Sequence, residues 1–324
     1  MVRQSFSSIC LVVAAIFIVG GCAQQRKKDA DVLDRGPDLE KLVVPGDYAD
    51  AAIKATGGLQ RWAKVKKVQL DCVVTFYQPE GSFYLTEHRF YIYPWSNSIE
   101  VFGKEPLGAI AWQLSDGQFR LLPGDDPSAA LRDVSAMPVS SRDYAEAILK
   151  ITTAPVQFLQ AGGVFVRGPT PIKMEGLWYD PIESRSSRDS LQEEGPQAQS
   201  HDRAAASQSR DRQGAAVKPY WSKVVYYQNR DSSLVDLLWL ADEQGEASGL
   251  RKGDSSPSTS LRAKGLAEFT LSPAKGSEGK FLAVRGYDYK DVQKNGVLLP
   301  TKIEIFRTDA RAVSRERLVK IDLK

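Results

Sequence analysis

The 324-residue chain is sparing with the side chains that usually do chemistry. It has two histidines, His88 and His201, too little material for a histidine-based general-base site or a multi-histidine metal site. His88 falls in a strand-like run and reads as a structural strand residue. No G-x-S-x-G elbow, C-x-x-C pair, H-E-x-x-H helix or phosphate loop occurs. No catalytic residue, metal ligand or cofactor is therefore assigned, and the chain is read as a non-enzyme. Carboxylates are plentiful, and a glycan hydrolase needs only two that face each other. Glu87, Glu100, Asp116 and Asp288 could supply such a pair, against the plainer alternative of solvated strand residues. The cysteines are Cys10, Cys22 and Cys72; of these, Cys22 has the most distinctive surroundings.

Met1 to Ser8 holds one positive charge, Arg3, and Ile9 to Val19 is an unbroken apolar run. A spanning helix needs about 20 apolar residues, so this shorter run reads as the core of a signal peptide. Val19, Gly20 and Gly21 before Cys22 resemble the bacterial lipobox, where small side chains admit a peptidase and the cysteine thiol receives a diacylglyceryl group. An ordinary signal peptide with an incidental cysteine is the alternative. Residues 1–21 are thus expected to be a lipoprotein signal peptide, and Cys22 the lipidated residue. Two or more acyl chains hold a protein stably on a bilayer, so the membrane becomes a partner through Cys22. By resemblance to proteobacterial sorting rules, Ala23 after the cysteine points to the periplasmic face of the outer membrane. With Cys10 removed and Cys22 lipidated, Cys72 has no partner for a disulfide.

Lys+Arg number 43 against 40 Asp+Glu, and no basic cluster is interleaved with aromatics, so nucleic acid is not an expected partner. Residues 22–46 mix charges with Gly36, Pro37 and Pro45 and read as a flexible tether, with a span of roughly 25–30 Å. A helix follows over 47–56, with Asp47 as N-cap and Tyr48, Ala51, Ala52 and Ala55 on one stripe, ended by Gly57-Gly58. Leu59, Trp62 and Ala63 suggest another helical turn. From Val68 the period becomes two: Val68, Leu70, Cys72, Val74 and Phe76 alternate with more polar neighbours. Strand-like runs continue at 82–93, 98–103, 109–115, 118–122, 164–167, 173–179, 223–229, 234–240, 281–290, 301–307 and 316–323. Asp116-Gly117 and Asn295-Gly296 read as hairpin-type turns. One more helix is expected over 141–153, capped by Ser140 or Ser141, with Tyr144, Ala147, Ile148 and Ile151 on its apolar face and an interruption near Pro155. Residues 183–218 and 244–264 have too few large apolar side chains to offset ordering entropy and are expected to be disordered insertions. Residues 47–324 otherwise form one mainly β domain.

The segment Ala51-Ala-Ile-Lys-Ala-Thr-Gly-Gly-Leu-Gln-Arg-Trp62, followed by Val65-Lys-Lys-Val68, is similar to the start of the outer-membrane lipoprotein carrier and receptor family (LolA/LolB-like). Gly286 to Val292, Gly296 to Ile303 and Arg317 to Leu323 resemble that family's closing hairpins. The resemblance implies an antiparallel curved sheet, a half-barrel, covered by a few α-helices, with acyl chains as cargo on its concave face. Residues proposed to line or cover such a cavity are Tyr48, Ala52, Trp62, Phe76, Trp112, Tyr144, Ile148 and Ile151. A lipid anchor belongs to the receptor type rather than the soluble carrier. The receptor's protruding apolar loop is matched only by Glu105-Pro-Leu-Gly-Ala-Ile110.

The expectation is therefore a non-enzymatic, membrane-anchored envelope lipoprotein that binds lipid or lipoprotein acyl chains and takes part in lipoprotein sorting. Two alternatives stay open: a structural or scaffold envelope lipoprotein whose sheet is a plain filled core, and a carboxylate-dependent envelope glycan hydrolase.

Overall fold

The computed structural model describes residues 36–37, 42, 46–105, 108–115, 117–122, 137–159, 164–185, 221–242, 280–310 and 313–324. The signal peptide, Cys22, nearly all of the tether, Asp116, the insertion at 244–264 and residues 186–218 of the other lie outside them. Two helices open the domain, α1 (Asp47–Ala55) and α2 (Leu59–Trp62). Strands β1 (Val68–Tyr77), β2 (Phe83–Tyr93), β3 (Ser98–Glu105), β4 (Gly108–Ser115) and β5 (Gln118–Leu121) follow, with a 3-10 turn at Pro94–Ser96. The long helix α3 (Ser141–Gln157) separates them from β6 (Val164–Arg167), β7 (Ile172–Met174), β8 (Leu177–Arg185), β9 (Lys223–Asn229), β10 (Val235–Asp242), β11 (Lys280–Lys290), β12 (Leu299–Thr308) and β13 (Ser314–Leu323).

All of these strands join one antiparallel sheet, in the order β5-β4-β3-β2-β1-β13-β12-β11-β10-β9-β8-β6, with β7 pairing on β8. The last strand closes on the first, Phe76 opposite Val319 and Cys72 opposite Leu323. α3 packs against β3 and β4 and also against β10, β11 and β12. In a flat sheet β4 and β10 would lie roughly 34 Å apart, at about 4.8 Å per strand, whereas a helix with its side chains is only about 10–12 Å across. The sheet must therefore curve around α3. The fold is mainly β, a curved antiparallel sheet with few helices.

Curvature selects the pattern of side chains. Val68, Leu70, Cys72, Val74 and Phe76 are all buried on the concave face, because a period of two puts alternate residues on one side. They form one cluster with Phe90 and Ile92 of β2, Ile99 and Val101 of β3, Trp112 and Leu114 of β4, Ile303 and Ile305 of β12 and Val319 and Ile321 of β13. A smaller cluster with Tyr179, Tyr227, Leu237 and Trp239 occupies the other face of β8–β10, so those strands are apolar on both sides.

The structure corrects the sequence expectations in several places. α1 starts at Asp47 with Gly46 ahead of it and no side-chain cap, and its buried stripe is Tyr48, Ala49, Ala52 and Ile53. α3 runs through Pro155 to Gln157; a proline this near the end costs few hydrogen bonds, and Ala154 and Val156 on either side of it are fully buried. The run 173–179 is a hairpin, with Glu175 (φ 51°) and Gly176 (φ 87°) turning the chain between β7 and β8. Glu183 to Arg185, assigned to an insertion, belong to β8 and pair with β6, and Glu183 and Ser184 also pair with β9. Asn295-Gly296 lies within a longer loop between β11 and β12 rather than in a two-residue hairpin.

Candidate functional site

The eight residues assigned to a cavity or lid all lie in the main buried cluster. Tyr144 is the hub. It projects from α3, and its ring centre is 5.6 Å from that of Phe76, 6.1 Å from Phe90 and 6.3 Å from Trp112. Its hydroxyl is 2.9 Å from Nδ1 of His88. His88 is a buried β2 residue facing Gly103 of β3, where a Cβ would come within 2.4 Å of the imidazole. Glycine thus makes the space for the ring. Sequence patterning identified His88 as a strand residue but not its partner, because the two positions are 56 residues apart.

Tyr48, Ala52 and Trp62 form the second part of the cluster. The Tyr48 ring meets Phe158 edge-on at 5.6 Å, and Trp62 Nε1 donates to Thr56 Oγ1 at 3.0 Å. Here two of the segments that carry the family resemblance, 51–62 and 296–303, meet. Leu298 N donates to Thr56 O at 3.0 Å and Arg61 Nη1 to Gly296 O at 3.3 Å. Gly57 (φ 117°) approaches Gly296 so closely that a Cβ would lie 2.2 Å from its carbonyl oxygen. The early glycine pair and the late glycine turn are thus one packing unit.

α3 is no plain amphipathic lid. Tyr144, Ala147, Ile148 and Ile151 are buried, but so are Ala145, Leu149, Ala154 and Val156 on its other sides. Between them runs a polar stripe at alternating three- and four-residue spacing: Asp143, Glu146, Lys150, Thr153 and Gln157. Asp143, fully buried, forms an ion pair with Lys280 of β11. Lys150 Nζ lies 3.6 Å from Glu146 Oε1, the two side chains only 16% and 12% exposed. Gln157 accepts from the Tyr226 hydroxyl and donates to Thr153 Oγ1. Asp143 Oδ1 and Glu146 Oε2 are buried without a hydrogen-bond partner among the described residues. Burial raises the pKa of Glu146, since desolvation disfavours the charged form more than Lys150 and Arg142 favour it. The spacing was visible in the sequence, but an i,i+4 Glu-Lys pair ordinarily marks a solvated face.

Of the residues weighed for a hydrolytic pair, Glu87 and Glu100 have separate side-chain partners, and Asp116 lies outside the described residues. Glu87 pairs with Lys324, whereas Glu100 accepts from Tyr93 and from Gln113. Asp288 sits at φ 52° and its carbonyl accepts from Thr301. Among the described residues no group of three or more His, Cys, Asp or Glu side chains could hold a metal ion, and no helix is long and apolar enough to cross a membrane. Cys72 is a buried free thiol whose pKa is pushed up to about 12 by desolvation.

No family model and no curated protein matches the chain. Among solved structures it is similar to the LolA superfamily protein NE2245 from Nitrosomonas europaea. The identity is 10%, the match covers 87% of this chain and 92% of that one, and the TM-score is 0.44. It is also similar to a DUF1329 family protein from Desulfovibrio piger ATCC 29098, at 9% identity over 86% of this chain and 90% of that one, with a TM-score of 0.37. These are likenesses of fold.

Proposed function

We propose that the protein is an envelope lipoprotein, anchored through lipid on Cys22, that takes acyl chains of lipids or lipoproteins onto the concave face of its curved sheet. The observation that carries this reading is the character of that face and of what fills it. The strands present one continuous apolar trough, from Leu114 and Trp112 on β4 through Phe76 and Ile305 to Leu238 on β10. α3 lies in the trough carrying the buried, incompletely bonded stripe Asp143, Glu146, Lys150. A buried ion pair stabilises a fold less than well-packed apolar side chains of the same volume. The helix is therefore held more weakly than an apolar helix would be, while an acyl chain has no desolvation cost on the same surface and gains about 0.8 kcal/mol per buried CH₂. Exchange of α3 for acyl chains is the mechanism in this reading, and the sequence resemblance to lipoprotein carriers and receptors supports lipoprotein sorting as the process.

The alternative of a structural lipoprotein with a permanently filled core is favoured by one observation, the close packing of rings around Tyr144. Organic extraction of the purified Cys22→Ser protein, followed by mass spectrometry, separates the two. Our reading expects non-covalent acyl lipid near one equivalent per chain. A folded protein that holds none and binds no fluorescent fatty acid at micromolar concentration leaves the structural alternative.

A further inference from the structure

The first turn of α1, which carries Tyr48 of the main cluster, meets β6, β8 and the β9–β10 turn around an open cleft of about 430 Å³. An adjoining cleft of about 610 Å³ shares Arg230 with it. Small-molecule sites generally measure about 300–1,000 Å³ and carry a few fixed polar groups. We propose that this double cleft binds an uncharged saccharide, a function independent of the acyl-binding reading.

The polar wall is pre-ordered. Asp180, its side chain only 8% exposed, accepts hydrogen bonds from Arg167 and, at 3.1 Å, from Nε of Arg230. Arg167 also lies 3.8 Å from Asp47 at the start of α1. The backbone N–H of Arg230 donates to the Trp178 carbonyl at 2.9 Å, which ties the arginine to the strand bearing the indole. Each guanidinium has five donors in a fixed fork, and both remain substantially exposed, 39% and 48%. They are held by a buried carboxylate and still free to meet a ligand.

Charge then narrows the ligand class. Arg167, Arg230 and Lys173 beside Trp178 are balanced by Asp47, Asp180 and Asp231 along the two clefts, which leaves no positive surplus to attract a phosphate or a polyanion. The second cleft supplies an apolar plane, Trp178, which is 48% exposed. Lys173 Nζ lies over the ring, 5.9 Å from its centre; an indole face attracts positively polarised groups in general. A sugar ring offers C–H bonds of that kind on its face and, around its rim, hydroxyls that both donate and accept. The indole suits the face and the exposed arginine forks suit the rim, while Gln228 and Asn229, both buried, brace the wall: Gln228 donates to the Tyr48 and Ser233 carbonyls and Asn229 to Asp236. Phosphate, carboxylate and purely apolar ligands each match only one half of the surface.

The test uses the full chain in a non-glycosidic detergent, with tryptophan fluorescence and saturation-transfer NMR against chitotriose, cellotriose and maltotriose and with inorganic phosphate as the control. At least one trisaccharide should bind and perturb tryptophan emission, and Trp178→Ala should weaken it at least 10-fold without changing fatty-acid binding. Should Trp178→Ala fail to fold, Arg230→Lys, which keeps the charge but loses the fork, should give the same loss. Absence of binding by all three sugars overturns the proposal. So does sugar binding unaffected by a folded variant, or displacement of bound sugar by millimolar phosphate.

Discussion

Asp236 on β10 illustrates how far a single residue can depart from its sequence-level reading. It lies at a register shift in the β9–β10 pairing and accepts from Asn229 Nδ2 at 3.3 Å. Burial outweighs that bond and one from Tyr179, and pushes its pKa up to about 6. The folded state then binds a proton that the unfolded chain has already released, so stability is lost as pH rises from about 4 to about 6. At about 1.4 kcal/mol per pH unit of displacement, the cost by pH 7 is on the order of 2–3 kcal/mol. Asp236→Asn should raise the melting temperature at pH 7.5 and have much less effect at pH 4.0; equal shifts at both pH values would contradict this. The run 234–240 was legible as a strand, but a carboxylate within it carries no sign of burial. The same holds for Arg167, Asp180 and Arg230, which converge from three different segments of the chain.

At the level of elements, most strands were legible because one buried face imposes a period of two, and α3 because its apolar positions follow a helical spacing. What was lost had physical causes. Glu175-Gly176 is a weaker turn signal than Asn-Gly, so the β7–β8 hairpin read as one strand. Glu183 to Arg185 are polar enough to resemble a loop, yet their backbone pairs with β6, and that of Glu183 and Ser184 with β9 as well. A deletion of residues 186–218 closed by a short Gly/Ser linker should keep the thermal stability of the parent, whereas one beginning at Glu183 should lower it measurably. Equal melting temperatures for the two deletions would contradict the strand boundary. The polar stripe of α3 makes a sharper prediction. Replacing both partners, Glu146→Leu with Lys150→Met, should stabilise the fold by about 1–4 kcal/mol, while Lys150→Met alone should destabilise it by about 3–5 kcal/mol through the charge it strands. The double variant should also bind a fluorescent fatty acid more weakly, because the helix competes better for the trough. Unchanged or tighter binding in a folded, stabilised double variant would break that link.

At the scale of the whole molecule, the proposed function needs both a membrane tether and a trough that exchanges a helix for acyl chains. Cys22→Ser should move the protein from the membrane fraction to the soluble fraction, and the intact mass of the wild-type membrane form should include acyl groups; a wild-type mass without them would refute the anchor. The curvature of the sheet and its cover of helices were expected from the family resemblance, whereas the span of α3's contacts, which reach β4 and β10 at once, depends on long-range packing that no local pattern encodes. That span makes the central claim measurable. Hydrogen exchange of Ser141–Gln157 in the Cys22→Ser protein should be followed with and without saturating fatty acid. Exchange across α3 should accelerate on binding while β1, β12 and β13 keep their protection. Unchanged or stronger protection of α3 with the fatty acid bound would contradict the account.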